Sequence, residues 1–293
     1  MLTTRRIYFS VPNITIASRN PLFRISDCAR FLSSLDVNLT LDVDQLQSTI
    51  ISQGANMAKN LSDQGYYTTT NFLSIESIRI LRDQSIGLRE QGRFEPSWSE
   101  KIINGSAIRF DKKGVYACEP DGQDYYTAPD LITYMSVLLQ TLPVVLNDQP
   151  SLESVDLSNQ SFNAKLAVTC PGGSYPLHID NPQGLSAGDT RKLTCILYLN
   201  PHYKQGDGGE LRLVLSKKDE ELSTVDLSPE GGRLLLFWSD EIPHEVLPSA
   251  PNHDENDENL DRYALTIWIP SSNISAIHSE SSKFSSLKDL AFP

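Results

Sequence analysis

The sequence predicts an α+β fold. About three helices come first, followed by a double-stranded β-helix, which is a jelly-roll or cupin-like barrel of two packed sheets. Two contrasting textures carry this reading. Apolar side chains recur at helical spacing between residues 42 and 145, whereas residues 160 to 270 break into short apolar runs separated by Gly, Pro, Asn and Asp. The number of those runs is a third observation: eight strands closed by tight turns suit a double sheet with helices on one outer face.

The elements follow in chain order. Residues 1–41 form a basic, flexible N-terminal segment that carries Arg5, Arg6, Arg19, Arg24 and Arg30 and, up to Ser33, the single acid Asp27. This Arg-rich, hydroxyl-rich composition fits an organellar transit peptide or a solvated arm. From about Asp42 to Asp63, Val43, Leu46, Ile50, Ile51 and Met57 mark an amphipathic helix with Asp42 or Asp44 at its cap, broken by Gly65. Tyr66 and Tyr67 suggest a short strand, and Ser74 with Glu76 starts a second helix. Trp98 to Asp124 reads as loop and short hairpin strands, Ile108–Phe110 and Val115–Cys118, around a Lys112-Lys113-Gly114 turn. Leu131, Tyr134, Met135, Leu138 and Leu139 then define a third helix that ends near Pro143.

The eight strands are Ala164–Cys170, Tyr175–Asp180, Lys192–Leu199, Gly209–Leu215, Val225–Leu227, Gly232–Trp238, His244–Val246 and Tyr263–Ile269. The main domain is thus 42–270, with helices in 42–145, the barrel in 160–270 and a tail at 271–293. An acidic loop, Asn252–Asp261, is inserted before the last strand, and its spacing matches no calcium-binding loop.

Composition excludes some functions. A net charge of −12 leaves no basic stripe for a phosphate backbone, so no nucleic-acid partner is expected. Cys28, Cys118, Cys170 and Cys195 are scattered in apolar contexts, as reduced thiols are. With no apolar run of about eighteen residues and no secretory signal, no membrane partner is expected. The expected location is intracellular: cytoplasm or nucleus, with a mitochondrion or other organelle admitted by the Arg-rich N-terminus.

The chemistry concentrates in Tyr175-Pro-Leu-His178-Ile-Asp180-Asn-Pro182. On an alternating strand His178 and Asp180 share a face, and His244, just past the apolar run 234–238, supplies a third ligand. Two histidines and a carboxylate make a facial triad for non-haem Fe(II), leaving positions for a chelating co-substrate and O2. His-x-Asp alone is a weak signal.

Six segments add specificity. They are His178–Pro182, Leu193–Asn200, Gly208–Leu213, Arg233–Asp240, Pro243–Val246 and Arg262–Trp268, which in this order resemble the 2-oxoglutarate-dependent prolyl 4-hydroxylases, most closely the hypoxia-inducible-factor and Skp1 type. The resemblance spans about Ser62 to Ile269 and implies a role for each position. His178, Asp180 and His244 would be the catalytic metal ligands, and Arg262 would pair in a fork with the distal carboxylate of 2-oxoglutarate. Tyr198 and Thr266 would add hydroxyl contacts, Tyr175 would stand beside the co-substrate, and Leu211 and Trp268 would line its pocket.

It also implies Fe(II), 2-oxoglutarate and O2, with L-ascorbate as reductant, and an activity coupling decarboxylation of 2-oxoglutarate to succinate with hydroxylation of a proline-containing protein segment. Other protein residues or small molecules are the alternative substrates, and a catalytically silent binding platform is the alternative class. The chain departs from the pattern at Thr169-Cys170-Pro171-Gly172, where a tyrosine is missing. It departs again in the eighteen residues from His244 to Arg262, about twice the family's spacing, so the loop is expected to bulge outward at the rim.

Overall fold

The computed structural model describes residues 39–103, 106–182, 184–216, 222–250 and 260–278. Most of the basic N-terminal segment with Cys28, most of the acidic loop, and the tail beyond His278 lie outside the described residues.

Helix α1 (Val43–Gln64) is capped by Asp42, whose side chain accepts from the Gln45 amide, and it ends at Gly65 with φ 82°. Ser74 caps α2 (Ile75–Glu90). Helix α3 (Pro129–Asn147) starts with proline in its first turn and runs through Pro143, past the predicted stop. Leu142 and Leu146 are fully buried on either side of that proline, and this burial outweighs the roughly 3 kcal/mol that an interior proline costs. By length and composition α3 would also pass as a membrane span, contrary to the sequence expectation, but 72% of its apolar window is buried inside the protein.

The strands are β1 (Tyr66–Thr69), β2 (Glu95–Ile103), β3 (Ser106–Cys118), β4 (Asn163–Thr169), β5 (Tyr175–His178), β6 (Arg191–Tyr198), β7 (Leu211–Ser216), β8 (Leu222–Leu227), β9 (Leu234–Trp238), β10 (His244–Val246) and β11 (Arg262–Pro270). They form a seven-stranded sheet ordered β1-β9-β6-β11-β4-β3-β2 and a four-stranded sheet ordered β5-β10-β7-β8. Strands β4 to β11 are the eight predicted barrel strands. The expected turn at Lys112-Lys113-Gly114 is corrected: these residues lie within β3, and Gly114, at φ 70°, marks a bulge between the Trp98–Asp111 and Pro96–Tyr116 pairs. A bulge and a turn ask for the same left-handed glycine, and the pattern alone does not separate them.

Alternation sorts the large sheet. Leu166 and Val168 of β4, Leu193, Cys195 and Leu197 of β6, Leu234 and Leu236 of β9, and Leu265 and Ile267 of β11 share one buried face. Leu46, Ile50, Met57 and Leu61 of α1 and Leu131, Tyr134, Met135 and Leu138 of α3 complete this core. The opposite face of the same strands carries Lys165, Thr194, Tyr198, Arg262, Thr266 and Trp268, polar groups that the smaller sheet covers.

Candidate metal centre

His178 ends β5 and His244 begins β10, and the two are direct partners across that strand pair with ring centroids 4.2 Å apart. Asp180 stands two residues beyond the end of β5 and not on the strand itself, a correction to the expected alternation. It still converges, because Nε2 of His178 and Nε2 of His244 lie 3.7 and 3.8 Å from Asp180 Oδ1.

The remaining atoms of each residue are held by the protein. His178 Nδ1 lies 2.9 Å from the Pro176 carbonyl and His244 Nδ1 lies 3.1 Å from the Ile242 carbonyl. An N–H donated there leaves the Nε2 lone pair facing Asp180. Asp180 Oδ2 accepts hydrogen bonds from Thr194 Oγ1 (2.8 Å) and Trp268 Nε1 (2.9 Å), so one carboxylate oxygen is anchored and the other faces the imidazoles. Burial opposes the Asp180 charge, but His244 and His178 outweigh it and hold the carboxyl well below its usual range. Burial, reinforced by His178, lowers His244 to about 4, which leaves the imidazole neutral near pH 7. Three converging atoms, two imidazole nitrogens and one carboxylate oxygen, fit a divalent transition metal.

Arg262 opens β11. It is buried, its Nε donates to the Gly209 carbonyl at 2.7 Å, and its guanidinium lies 5.0 Å from the Tyr198 ring centre. Among the described residues no carboxylate pairs with it, and burial pulls its pKa down. The fully buried Tyr198 hydroxyl also has no hydrogen-bond partner among the described residues. A buried cation beside an unsatisfied hydroxyl is a costly arrangement that an incoming anion would relieve. Gly209 makes room for it: a Cβ there would sit 2.8 Å from Arg262 Cδ, and the backbone φ is 73°.

The other predicted residues are spread around this core. Tyr175 lies edge-on to the His178 ring at 4.0 Å, and Thr266 is paired in register with Lys165 and Ile196. Leu211 is buried on β7 opposite Val246. Trp268, expected only to line a pocket, also positions Asp180. Sequence reasoning missed Thr194, Gly209, Lys112, Lys165 and Arg191, whose guanidinium donates to the Asp180 carbonyl at 2.7 Å. Thr194 was within reach, because it shares the alternating face of Tyr198.

Residues 164–270 match the model of the 2OG-Fe(II) oxygenase superfamily, and the chain is similar to prolyl hydroxylases in sequence and in fold. Egl nine homolog 1 of Rattus norvegicus is 30% identical over 222 residues, 71% of this chain and 56% of the relative. The hypoxia-inducible factor prolyl hydroxylase of Caenorhabditis elegans is 28% identical over 217 residues, 73% of this chain and 27% of that protein. The chain spans about half the length, or less, of the curated relatives it matches. A prolyl hydroxylase from Trichoplax adhaerens, solved in complex with a hypoxia inducible factor oxygen degradation domain peptide fragment, is 25% identical with a TM-score of 0.61, covering 81% of this chain and 97% of that one. A prolyl-4-hydroxylase from Pseudomonas putida is 26% identical with a TM-score of 0.57, covering 74% and 98% respectively.

Proposed function

We propose that this protein is an Fe(II)- and 2-oxoglutarate-dependent dioxygenase that hydroxylates proline in a protein substrate. The observation that carries this reading is the pairing of two half-built sites on one barrel: three converging candidate metal ligands, and a buried arginine that no carboxylate among the described residues pairs with. His178, Asp180 and His244 would hold Fe(II), and Arg262 with Tyr198 would receive the distal carboxylate of 2-oxoglutarate. When bound, the iron and co-substrate supply the activation of O2, coupled to decarboxylation of 2-oxoglutarate to succinate, with L-ascorbate as reductant. The chain's own contribution is positioning: Thr194 and Trp268 fix the Asp180 carboxylate, and the Pro176 and Ile242 carbonyls fix the imidazoles. The peptide-bound Trichoplax relative supports a protein segment as the substrate. Free Cys118, Cys170 and Cys195 support a reducing, intracellular setting.

Purified protein given Fe(II), ascorbate, 2-oxoglutarate and proline-containing peptides should release succinate and add one oxygen to proline, read by mass spectrometry. His178→Ala and Asp180→Ala should each abolish both signals. Retained turnover in the two variants would sink the assignment.

A further inference from the structure

Two lysines stand beside the candidate metal centre without a carboxylate partner. Lys112, in the β3 bulge, is buried, and its Nζ sits 3.4 Å from the ring centre of Tyr175, whose edge meets His178. Lys165 is partly buried on β4, in register with Thr266, and its Nζ donates to Ser97 Oγ at 3.0 Å. Its face of the sheet is the one that carries Arg262, Thr266 and Trp268. Neither lysine forms an ion pair among the described residues. A ring face and a hydroxyl are weak compensation for taking an ammonium out of water. Burial accordingly drives Lys112 down to about 6, helped by repulsion from Lys165, and burial lowers Lys165 as well. Glu119 draws Lys165 alone; among the described residues the one anion that draws both is Asp180, whose Oδ2 is anchored and whose Oδ1 faces the imidazoles.

A bulge at Gly114 that turns a lysine inward, toward a second lysine on the neighbouring strand, has no evident use in packing. Methionine would fill the same volume without the desolvation cost. Together the two form a rim on the Tyr175 side of the centre, where an arriving carboxylate would restore the charge that burial takes from Lys112. This rim is separate from Arg262, which lies where β11 begins, whereas Lys165 pairs with Thr266 four residues further along that strand.

We infer that Lys112 and Lys165 recognise an acidic side chain of the protein substrate, a glutamate or aspartate within a few residues of the target proline. The inference rests on the protein-substrate reading above and deepens it, because it names the chemistry that selects one proline-containing segment over another. A substrate carboxylate between the two ammonium groups would give each the charge-assisted partner that the protein withholds. The same site would reject a neutral or basic residue, which would leave both lysines unpaired once the peptide excluded water.

The test uses short synthetic peptides with a central proline and a glutamate walked through the positions on either side, each matched to a glutamine peptide. One arm measures kcat/KM for hydroxylation. The other measures peptide binding by calorimetry to protein loaded with Zn(II) and 2-oxoglutarate, which needs no turnover. At one position glutamate should be preferred over glutamine by about tenfold or more in both arms, the scale of one charge-assisted hydrogen bond. Lys112→Met and Lys165→Met should each erode that ratio, and Lys112→Arg should keep most of it. Equal binding of glutamate and glutamine peptides at every position would overturn the inference, even if the methionine variants failed to fold. An unchanged ratio in folded methionine variants would overturn it too, as would a loss confined to 2-oxoglutarate affinity. If no peptide is hydroxylated yet the glutamate preference in binding persists, the prolyl hydroxylase reading falls and the lysine site stands.

Discussion

At the scale of single residues, the centre separates groups that would touch metal or co-substrate from groups that hold them in place. Arg262→Ala should raise the 2-oxoglutarate dissociation constant about thirtyfold or more, because truncating one partner of a buried charge pair costs roughly 2–5 kcal/mol. Arg262→Lys should rescue only part of this, since it keeps the charge and loses the fork. Titration of 2-oxoglutarate and of metal, measured separately, checks the claim, because iron affinity should change far less. Equal losses in both would make Arg262 a support of the fold. Trp268→Phe predicts the opposite split. It keeps an aromatic body on β11 and removes one of the two donors to Asp180 Oδ2. Metal affinity should fall by about ten- to a hundredfold, as for other groups that orient a metal-binding carboxylate. Binding of 2-oxoglutarate to metal-saturated protein should change little.

At the scale of elements, much was legible because it rests on periodicity. The three helices, their caps at Asp42 and Ser74, and the eight barrel strands follow from spacing and side-chain type. The misreadings share a cause, in that one local signal served two structures. Gly114 reads as a turn but forms a bulge. Pro143 reads as a stop although tertiary burial carries the helix through it. The triad was legible as residues and Thr194 could be read from the face it shares with Tyr198, but Lys112 and Lys165 reach the centre only through strand pairing of long sequence separation. One helix contact is equally invisible in sequence. A Cβ on Gly54 of α1 would come 2.2 Å from Val145 Cγ1 of α3, so the two helices cross at a glycine. Gly54→Ala should destabilise the protein by about 1–3 kcal/mol, and adding Val145→Ala should recover part of the loss. Denaturant midpoints of the single and double variants decide it.

At the scale of the whole molecule, the end of the described chain is tied to the barrel by charge. The His278 amide and ring Nδ1 approach Asp240 Oδ2 at 2.9 and 3.2 Å, and Lys192 pairs with both Asp240 and Glu241. Hydrogen bonds donated to Asp240 and then to Glu241 raise His278 to about 9 from its ordinary 6.5. Because the folded value is the higher, the charged latch contributes in full below about pH 6.5 and is lost as pH rises through 9. The melting temperature of the wild type should therefore fall relative to that of His278→Gln between those limits. Parallel curves would show that the latch contributes nothing.

The pairing pattern of the barrel has a consequence in time. Strand β7 pairs with β8, β6 with β9, β5 with β10 and β4 with β11, so the pairs are nested one inside the next like rungs on a ribbon folded at its middle. Each outer rung closes a longer loop, and the entropy of closure falls with every rung already made. Assembly should therefore run outward from the β7–β8 tip, with the rung that joins His178 to His244 in place before the outermost one, which begins at Arg262. In refolding kinetics, Leu213→Ala should slow folding more than Leu166→Ala does, relative to their equilibrium costs. The reverse order would place the nucleus at the open end of the ribbon. On the expected order, His178, Asp180 and His244 meet in a chain that has yet to place Arg262, and if they hold a metal, metal present during refolding should speed the closing of the last rung.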